Sequence, residues 1–160
     1  MVNEVLIVGI NSFLGRELYE QLKSEAIIYG VYHVNKNNIP DEIVVLPVQQ
    51  LATLASRPFK TIYLISGYIP ETGDEDDGKL VEANVYLPKT LSTLFPASRI
   101  IYCSSVSVYQ NYTSGRLISI DDEPKPKTKY ALSKLWGELI IQNHPSYAIV
   151  RISSTYGIGM

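Results

Sequence analysis

Residues 4–15 read EVLIVGINSFLG, a short apolar run that ends at a glycine and leads into an amphipathic segment. The run predicts a β-strand, and residues 15–24 predict a helix with Leu14, Leu18 and Leu22 on one face. A glycine between strand and helix lets the backbone approach a pyrophosphate, and the helix N-terminus offers N–H groups and partial positive charge. The stretch therefore predicts an anion site, although tight packing of a helix on a strand also requires glycine.

Similar apolar runs, rich in Val, Ile and Tyr, recur along the chain with helical segments between them. This alternation is typical of an α/β fold with a parallel sheet, and the nearly continuous apolar character predicts helices on both faces. The clearest further helices are predicted at 79–94 and 129–143, and a weaker, short one at 47–59, ended by Pro58. The six predicted strands are 4–9, 26–34, 42–46, 61–66, 99–104 and 148–153.

Length and composition bound the class of protein. The 160 residues are 46% hydrophobic and 19% charged, which fits one globular domain. No apolar run approaches the ~18 residues that a membrane span needs. The net charge of −2 favours no nucleic-acid partner, and the two histidines, far apart in sequence, predict no metal site.

The N-terminus and the cysteine content bear on location. The first residues carry no basic leader, so we expect a cytoplasmic protein rather than a secreted one. The single cysteine, Cys103, lies in the apolar run RIIYC and is expected to be a buried small hydrophobe rather than a reactive thiol.

The end of the second predicted strand bears on which dinucleotide would bind. An NAD site usually has an acidic residue there, which accepts hydrogen bonds from the adenosine ribose. This chain has no acid in VYHVNKNN; His33 takes the position, and Asn35 and Lys36 follow. A cation at this point suits the 2′-phosphate of NADP, but these are equally ordinary surface residues. The choice between NAD and NADP stays open.

The segment KTKYALSK, residues 127–134, places Tyr130 and Lys134 one helical turn apart. An ammonium about 4 Å from a phenolate contributes about 4 kcal/mol at an effective dielectric near 20, enough to lower a tyrosine pKa by up to about three units before desolvation. The same spacing occurs at Tyr19/Lys23 and Tyr32/Lys36, which we interpret as structural. Spacing alone therefore does not distinguish a chemical pair from an exposed pair on a helix.

Four motifs in order carry a resemblance to a known family. They are the loop Gly9–Gly15, IYCSSVSVY (101–109), EPKPKTKYALSKLWGE (123–138) and VRISSTYGIG (150–159). Together they resemble the extended branch of the short-chain dehydrogenase/reductase family, in particular its nucleotide-sugar epimerases, dehydratases and reductases. The chain departs from that pattern in two places, where Ser12 replaces the middle glycine of GxxGxxG and Ser154 takes the position of an asparagine.

The resemblance implies a doubly wound Rossmann-type sheet in the order 3-2-1-4-5-6 and a nicotinamide cofactor. It implies that Ser105, Tyr130 and Lys134 catalyse proton and hydride transfer at a sugar carbon. Ser105 would orient or polarise the substrate oxygen, and Lys134 would also bind the nicotinamide ribose. The residues that it assigns to the dinucleotide are Gly9, Asn11, Ser12, Phe13, Leu14, Gly15, His33, Ile65, Ser66, Gly67, Asn84, Tyr130 and Lys134.

The resemblance covers residues 1–160 as a dinucleotide-binding domain, about half of such a family member, without the C-terminal substrate-binding region. We therefore expect the isolated chain to turn over no sugar nucleotide unaided. The alternative is a non-catalytic dinucleotide-binding module of the same fold, or a truncated, inactive homologue.

The family commonly dimerises through two helices, which here are the segments 79–94 and 129–143. Their apolar residues are candidates for a homodimer interface, although part of each stripe must cover the sheet. These residues are Leu80, Val81, Leu87, Leu91, Leu135, Trp136, Leu139 and Ile140.

Overall fold

The computed structural model describes residues 3–33, 37, 39–40, 42–71, 76–113 and 115–157. Six parallel strands form one sheet in the order β3-β2-β1-β4-β5-β6, which confirms the predicted doubly wound topology. The chain crosses over between β3 and β4, so the sheet grows outward in both directions from β1. The strands are β1 (Asn3–Val8), β2 (Ala26–Tyr32), β3 (Val44–Pro47), β4 (Phe59–Leu64), β5 (Arg99–Ser105) and β6 (Tyr147–Ile152).

The connections are α-helical, with shorter segments of other helix types. The α-helices are α1 (Phe13–Leu22), α2 (Asp77–Val81), α3 (Leu87–Leu94) and α4 (Lys129–Ile141). The helix predicted at 79–94 is interrupted by a π-helical segment, Glu82–Tyr86, which joins α2 to α3. The helix predicted at 47–59 is a 3-10 segment, Val48–Leu54, that ends before Pro58. A second 3-10 segment, Val106–Tyr109, follows β5.

The acidic string GDEDDG, residues 73–78, contains the cap of a helix. The Asp76 Oδ1 accepts the Lys79 amide N–H at 3.1 Å and so caps the start of α2. Residues 73–75 lie outside the described part of the chain.

Two hydrophobic clusters cover the two faces of the sheet. Successive side chains of a strand point to opposite faces, so β1 contributes Leu6 and Val8 to one cluster and Val5 and Ile7 to the other. The first cluster includes residues of α3 and α4, and the second includes Tyr19 of α1. Each fully buried aliphatic side chain contributes about 1.5–3 kcal/mol. The expected helices on both faces are thus present.

Some helix positions differ from their predicted places. Leu18 and Leu22 pack on the second cluster as expected, whereas Leu14 lines a cavity at the edge of the sheet. Of the stripe predicted to pair with a second copy, three members belong to the core instead: Leu80, Leu87 and Leu91 are buried. This correction follows from the single layer of helices on that face, whose apolar side must cover the sheet.

No helix among the described residues is long and apolar enough to cross a bilayer. The cytoplasmic location stays a prediction.

Candidate functional site

A continuous cleft runs along the carboxyl edge of the sheet, where ligands bind in open α/β folds. One part of it, here called the loop cavity, has a volume of about 700 Å³ and lies over β1 and β4, beside Gly9 and Ser66. The other, the tyrosine cavity, has a volume of about 450 Å³ and lies beside Ser105 and Tyr130. The two are one space, because they share the lining residues Leu14, Ile65, Gly67, Ile69 and Thr155.

Two glycines shape the loop after β1. Gly9 has a φ of 97°, in the left-handed region, and a Cβ there would lie 2.7 Å from the Ser66 nitrogen. A Cβ on Gly15 would lie 2.2 Å from the Gly9 carbonyl oxygen, so the first turn of α1 packs directly on the loop. Packing therefore requires both glycines. The same close approach brings the start of α1 to the floor of the cleft.

Ser12 caps α1 with its side chain. Its Oγ accepts the Gly15 amide N–H at 3.0 Å and donates to the Gly9 carbonyl oxygen at 2.7 Å. The hydroxyl is thus turned into the loop, and it satisfies one of the orphan amides at the helix N-terminus. Among the described residues, the amides of Phe13 and Leu14 have no protein acceptor. Two N–H groups and the positive end of the helix dipole remain for an anion.

Lys134 is 3% exposed and lies beneath the tyrosine cavity. Its Nζ donates to the Cys103 carbonyl oxygen at 2.7 Å and lies 4.4 Å from the centroid of the Tyr102 ring. Burial lowers the pKa of the Lys134 ammonium to about 8, against weaker opposing contributions from Cys103 and Glu138. Lys134 is therefore a buried amine held to β5.

Tyr130, at the start of α4, does not have the lowered pKa that its spacing from Lys134 predicts. Burial raises the pKa of its phenol, and a hydrogen bond with Ser105 acts in the opposite direction. The expected depression by Lys134 is wrong for this arrangement, because the ammonium is directed at the Cys103 carbonyl. Tyr130 is accordingly a protonated phenol at neutral pH.

Ser105 is the last residue of β5 and begins the 3-10 segment that follows. Its Oγ donates to the Ser107 Oγ at 3.0 Å and accepts the Ser107 amide N–H at 3.1 Å. Ser105 and Tyr130 thus come together in one wall of the tyrosine cavity, as the motifs predict. Cys103, also in that wall, is half-buried rather than part of the core, and burial raises the pKa of its thiol.

Asn84 is fully buried in the π-helical segment. Its Nδ2 donates to the Tyr68 carbonyl oxygen and to the Ser133 Oγ, both at 3.0 Å, and its Oδ1 accepts the Tyr68 amide N–H at 3.1 Å. A Cβ on Gly67 would lie 2.9 Å from that Oδ1. Asn84 does not line the cleft; it fastens the loop after β4 to α4.

A buried ion pair supports the same wall from below. The Glu138 carboxylate is fully buried and receives two hydrogen bonds from the Arg151 guanidinium, at 2.9 and 2.7 Å. Ser104 donates to the same carboxylate, so α4, β5 and β6 are joined at one point. Removing one partner of such a pair typically costs about 3–5 kcal/mol. Sequence reasoning placed Glu138 and Arg151 in motifs but did not predict the pair.

The structure brings most of the predicted residues to the cleft. Gly15 lies beneath the loop and Asn84 behind the wall, and the rest line one or both cavities. Asn35 and Lys36 lie outside the described residues, and so does part of the Tyr32/Lys36 pair. In the other pair that we interpreted as structural, Tyr19 is buried in the core and Lys23 pairs with Glu20. The lining residues that were not among the predicted site residues include Tyr68, Ile69, Lys79, Glu82 and Thr155.

Several of these residues could have been predicted from their position directly after the carboxyl end of a strand, where ligand sites of open α/β sheets lie. Tyr68 and Ile69 follow β4, and Thr155 follows β6, so each comes just after the carboxyl end of a strand. The positions of Lys79 and Glu82 could not be predicted in this way, because they depend on how α2 and the π-helical segment pack over the sheet.

A family model and several solved structures match the chain. The model described as the RmlD substrate binding domain matches residues 3–159. The chain is similar to a UDP-glucuronic acid 4-epimerase from Bacillus cereus, solved with NAD, at 22% identity and a TM-score of 0.79. It is also similar to a putative epimerase from Burkholderia cenocepacia J2315 (20%, 0.80) and to a short-chain dehydrogenase/reductase superfamily protein from Agrobacterium tumefaciens with bound NAD (18%, 0.78).

The matches cover nearly all of this chain but only part of the others. The alignments include 96%, 99% and 93% of this chain, and 57%, 56% and 48% of the three solved chains. The chain thus spans about half the length of these structures. No curated protein is significantly similar to it in sequence.

Proposed function

The chain belongs to the RmlD substrate binding domain family, and from that premise we propose that it is the dinucleotide-binding module of an NAD(P)-dependent nucleotide-sugar epimerase, dehydratase or reductase. The family match, with the solved relatives, confirms the resemblance to extended short-chain dehydrogenases/reductases. The observation that carries the proposal is the continuity of the cleft. The start of α1, with its two available amides, and the residues Ser105 and Tyr130 line adjoining parts of one space.

The residues along the cleft occur in the order that the successive groups of a bound dinucleotide would require. The amides of Phe13 and Leu14 would bind the pyrophosphate at the helix N-terminus. Gly9 supports this, because its positive φ and its contact with Ser66 leave no side chain above the loop. Lys134, at the floor of the tyrosine cavity, would hold the nicotinamide ribose. A bound nicotinamide would supply the acceptor or donor of a hydride.

The chain's own groups would handle the proton. Tyr130 has its proton at neutral pH, because burial raises its pKa, and it is suited to donate that proton to a sugar oxygen. Ser105, which lines the same cavity as Tyr130, would orient the same oxygen. To act as a base, Tyr130 would need Lys134 to turn from the Cys103 carbonyl toward the phenol, which would lower the Tyr130 pKa.

A non-catalytic binding module is the second candidate, and one observation favours it. The Lys134 ammonium donates to the Cys103 carbonyl oxygen instead of being directed at Tyr130. A site that only binds a dinucleotide does not require Lys134 to activate Tyr130. The candidates differ in one measurable property. A catalytic module shifts the Tyr130 pKa downward when a dinucleotide binds, and a binding module leaves it raised.

The test is calorimetric titration of the chain with NAD, NADH, NADP and NADPH. We expect binding of at least one, and loss of binding in Gly9→Val, whose side chain would meet Ser66. Tyr130→Phe should still bind, with Tyr147→Phe, at the opposite edge of the sheet, as the matched control. Circular dichroism checks that Gly9→Val is folded. If the wild-type chain binds none of the four, the proposal is overturned.

We further propose that the chain forms a homodimer through the outer face of α4. Leu132, Trp136 and Leu139 lie at helical spacing on this face and are 39%, 47% and 50% exposed. Light scattering should give a dimer mass for the wild type and a monomer mass for Trp136→Lys. A monomeric wild type would contradict the interface.

The substrate is proposed at the level of its class. The chain covers about half of the solved structures it resembles, so the groups that bind a sugar nucleotide need not all lie within it. We therefore assign turnover to a completed protein and dinucleotide binding to this chain.

A further inference from the structure

We infer that Glu82 selects NAD over NADP, supplying from the opposite wall of the cleft the acidic group that is missing after β2. This inference rests on the proposed function, since it concerns how the same cleft reads the adenosine half of the cofactor.

A third cavity adjoins the cleft at its β2 end. It has a volume of about 240 Å³ and lies between the 3-10 segment after β3 on one side and the π-helical segment and α3 on the other. Three residues line both this cavity and the loop cavity: His33, Glu82 and Ala83. They therefore mark the passage between the two spaces. His33 forms its β2 side, and the π-helical segment forms the other.

The order of groups in a dinucleotide assigns a group to that passage. With the pyrophosphate at the start of α1, the adenosine ribose comes next along the molecule and the adenine base after it. The base would then enter the third cavity, whose walls include Leu51 and Leu87. The ribose would lie in the passage, with its hydroxyl groups between His33 and Glu82.

Glu82 is the one acidic side chain that lines either cavity among the described residues. It is exposed and has no ion-pair partner there, so its carboxylate is free to accept hydrogen bonds. Lys79, the other charged residue of the loop cavity, does not line the third cavity. Its ammonium lies 3.5 Å from the Asp76 carboxylate. The passage is therefore acidic on the side that faces His33.

A carboxylate in this position distinguishes the two cofactors by charge. It accepts hydrogen bonds from the 2′- and 3′-hydroxyl groups of NAD, as the acid after β2 does in other NAD sites. It repels the 2′-phosphate of NADP. At a partly exposed site, the repulsion between the carboxylate and the phosphate is stronger than in bulk water and weaker than in the protein interior. It corresponds to an affinity for NAD that is about tenfold or more higher than the affinity for NADP.

The experiment isolates the adenosine half of the ligand. ADP-ribose and its 2′-phosphate are titrated into the wild-type chain, Glu82→Gln and Glu82→Lys, with binding followed by calorimetry at two salt concentrations. Glu25→Gln is the matched control, because Glu25 is exposed just before β2, at the opposite edge of the sheet. We expect the wild type and Glu25→Gln to prefer ADP-ribose by about tenfold or more. Glu82→Gln should abolish the preference, Glu82→Lys should reverse it, and added salt should weaken it.

Two outcomes would overturn the inference while leaving the proposed function intact. One is a wild type that prefers the 2′-phosphate, which would indicate that the His33 side reads a phosphate. The other is a preference that is the same in Glu82→Gln as in the wild type. If the wild type binds neither ligand nor any full dinucleotide, the proposed function itself is wrong, and the inference falls with it.

Discussion

The side chain of Asn84 and the backbone of Tyr68 exchange two hydrogen bonds, with Nδ2 donating at 3.0 Å and Oδ1 accepting at 3.1 Å. A third bond, to Ser133 of α4, uses the remaining amide proton. The Asn84 amide thus satisfies the backbone N–H and carbonyl of Tyr68, as the backbone of a neighbouring strand would. That loop provides Gly67, Tyr68 and Ile69 to the cleft, so a buried residue outside the cleft sets the shape of its wall.

Asn84→Ala should lower the free energy of unfolding by about 2–4 kcal/mol, because it removes the two hydrogen bonds to the Tyr68 backbone and the one to Ser133, and opens a small cavity. Urea denaturation measures this change. Amide exchange at Tyr68 should accelerate more than at Leu64, in the adjoining strand. Asn143→Ala is the control, since Asn143 is exposed and its side-chain amide donates to the Leu139 carbonyl on the helix surface. Equal losses in the two variants would contradict the role given to Asn84.

Ser12 can be tested by two substitutions that separate capping from access to the loop. Ser12→Ala removes the bonds to Gly9 and Gly15 and should cost about 1 kcal/mol of stability, whereas Ser12→Gly should cost only a few tenths. Ser12→Gly also removes the side chain from the phosphate end of the cleft. We expect it to bind NADH at least as tightly as the wild type. Weaker binding in Ser12→Gly would show that the hydroxyl contacts the ligand.

The buried ammonium of Lys134 predicts a dependence of stability on pH. Its folded pKa of about 8 lies below the value of 10.5 expected for an exposed lysine. Between these two pH values, Lys134 is protonated in the unfolded chain and largely unprotonated in the folded chain, so the folded state becomes more stable as pH rises. Below this window Lys134 is protonated in both states, and stability does not change with pH through this group. The full change corresponds to about 3 kcal/mol.

Denaturation of the wild type and Lys134→Met at a series of pH values between 7 and 10 checks this prediction. The difference between the two proteins isolates Lys134 from the tyrosines that titrate in the same range. The wild type should gain stability relative to Lys134→Met as pH rises. A difference that stays constant with pH would mean that the ammonium is not desolvated as the structure indicates.

The sheet was predictable because its strands are continuous apolar runs covered on both faces, and because the glycine loop after β1 gives the chain a recognisable start. The place of Ser105 and Tyr130 beside one cavity was predictable as well, since both residues follow from motifs at the carboxyl edge. The state of Tyr130 was not. Burial raises the Tyr130 pKa, and the Lys134 ammonium bonds to the Cys103 carbonyl; neither fact follows from a spacing of one helical turn.

Asn84 and Glu82 show a second limit of the sequence. Both were within a segment predicted as one regular helix, but the π-helical turn changes which side each residue faces. Asn84 is turned inward to Tyr68, and Glu82 toward the passage beside His33. Periodicity of 3.6 residues cannot place side chains in a segment with a wider turn.

The central claim is that one cleft binds a dinucleotide from the start of α1 to Tyr130. Titration of the ¹⁵N-labelled chain with NADH, followed by amide chemical shifts, tests it most directly. We predict saturable shifts at Phe13 and Leu14 and, in the same titration, at Ser105 and Tyr130. The absence of shifts at either end, or shifts confined to the separate cavity beside Ile118 and Val150, would contradict the account.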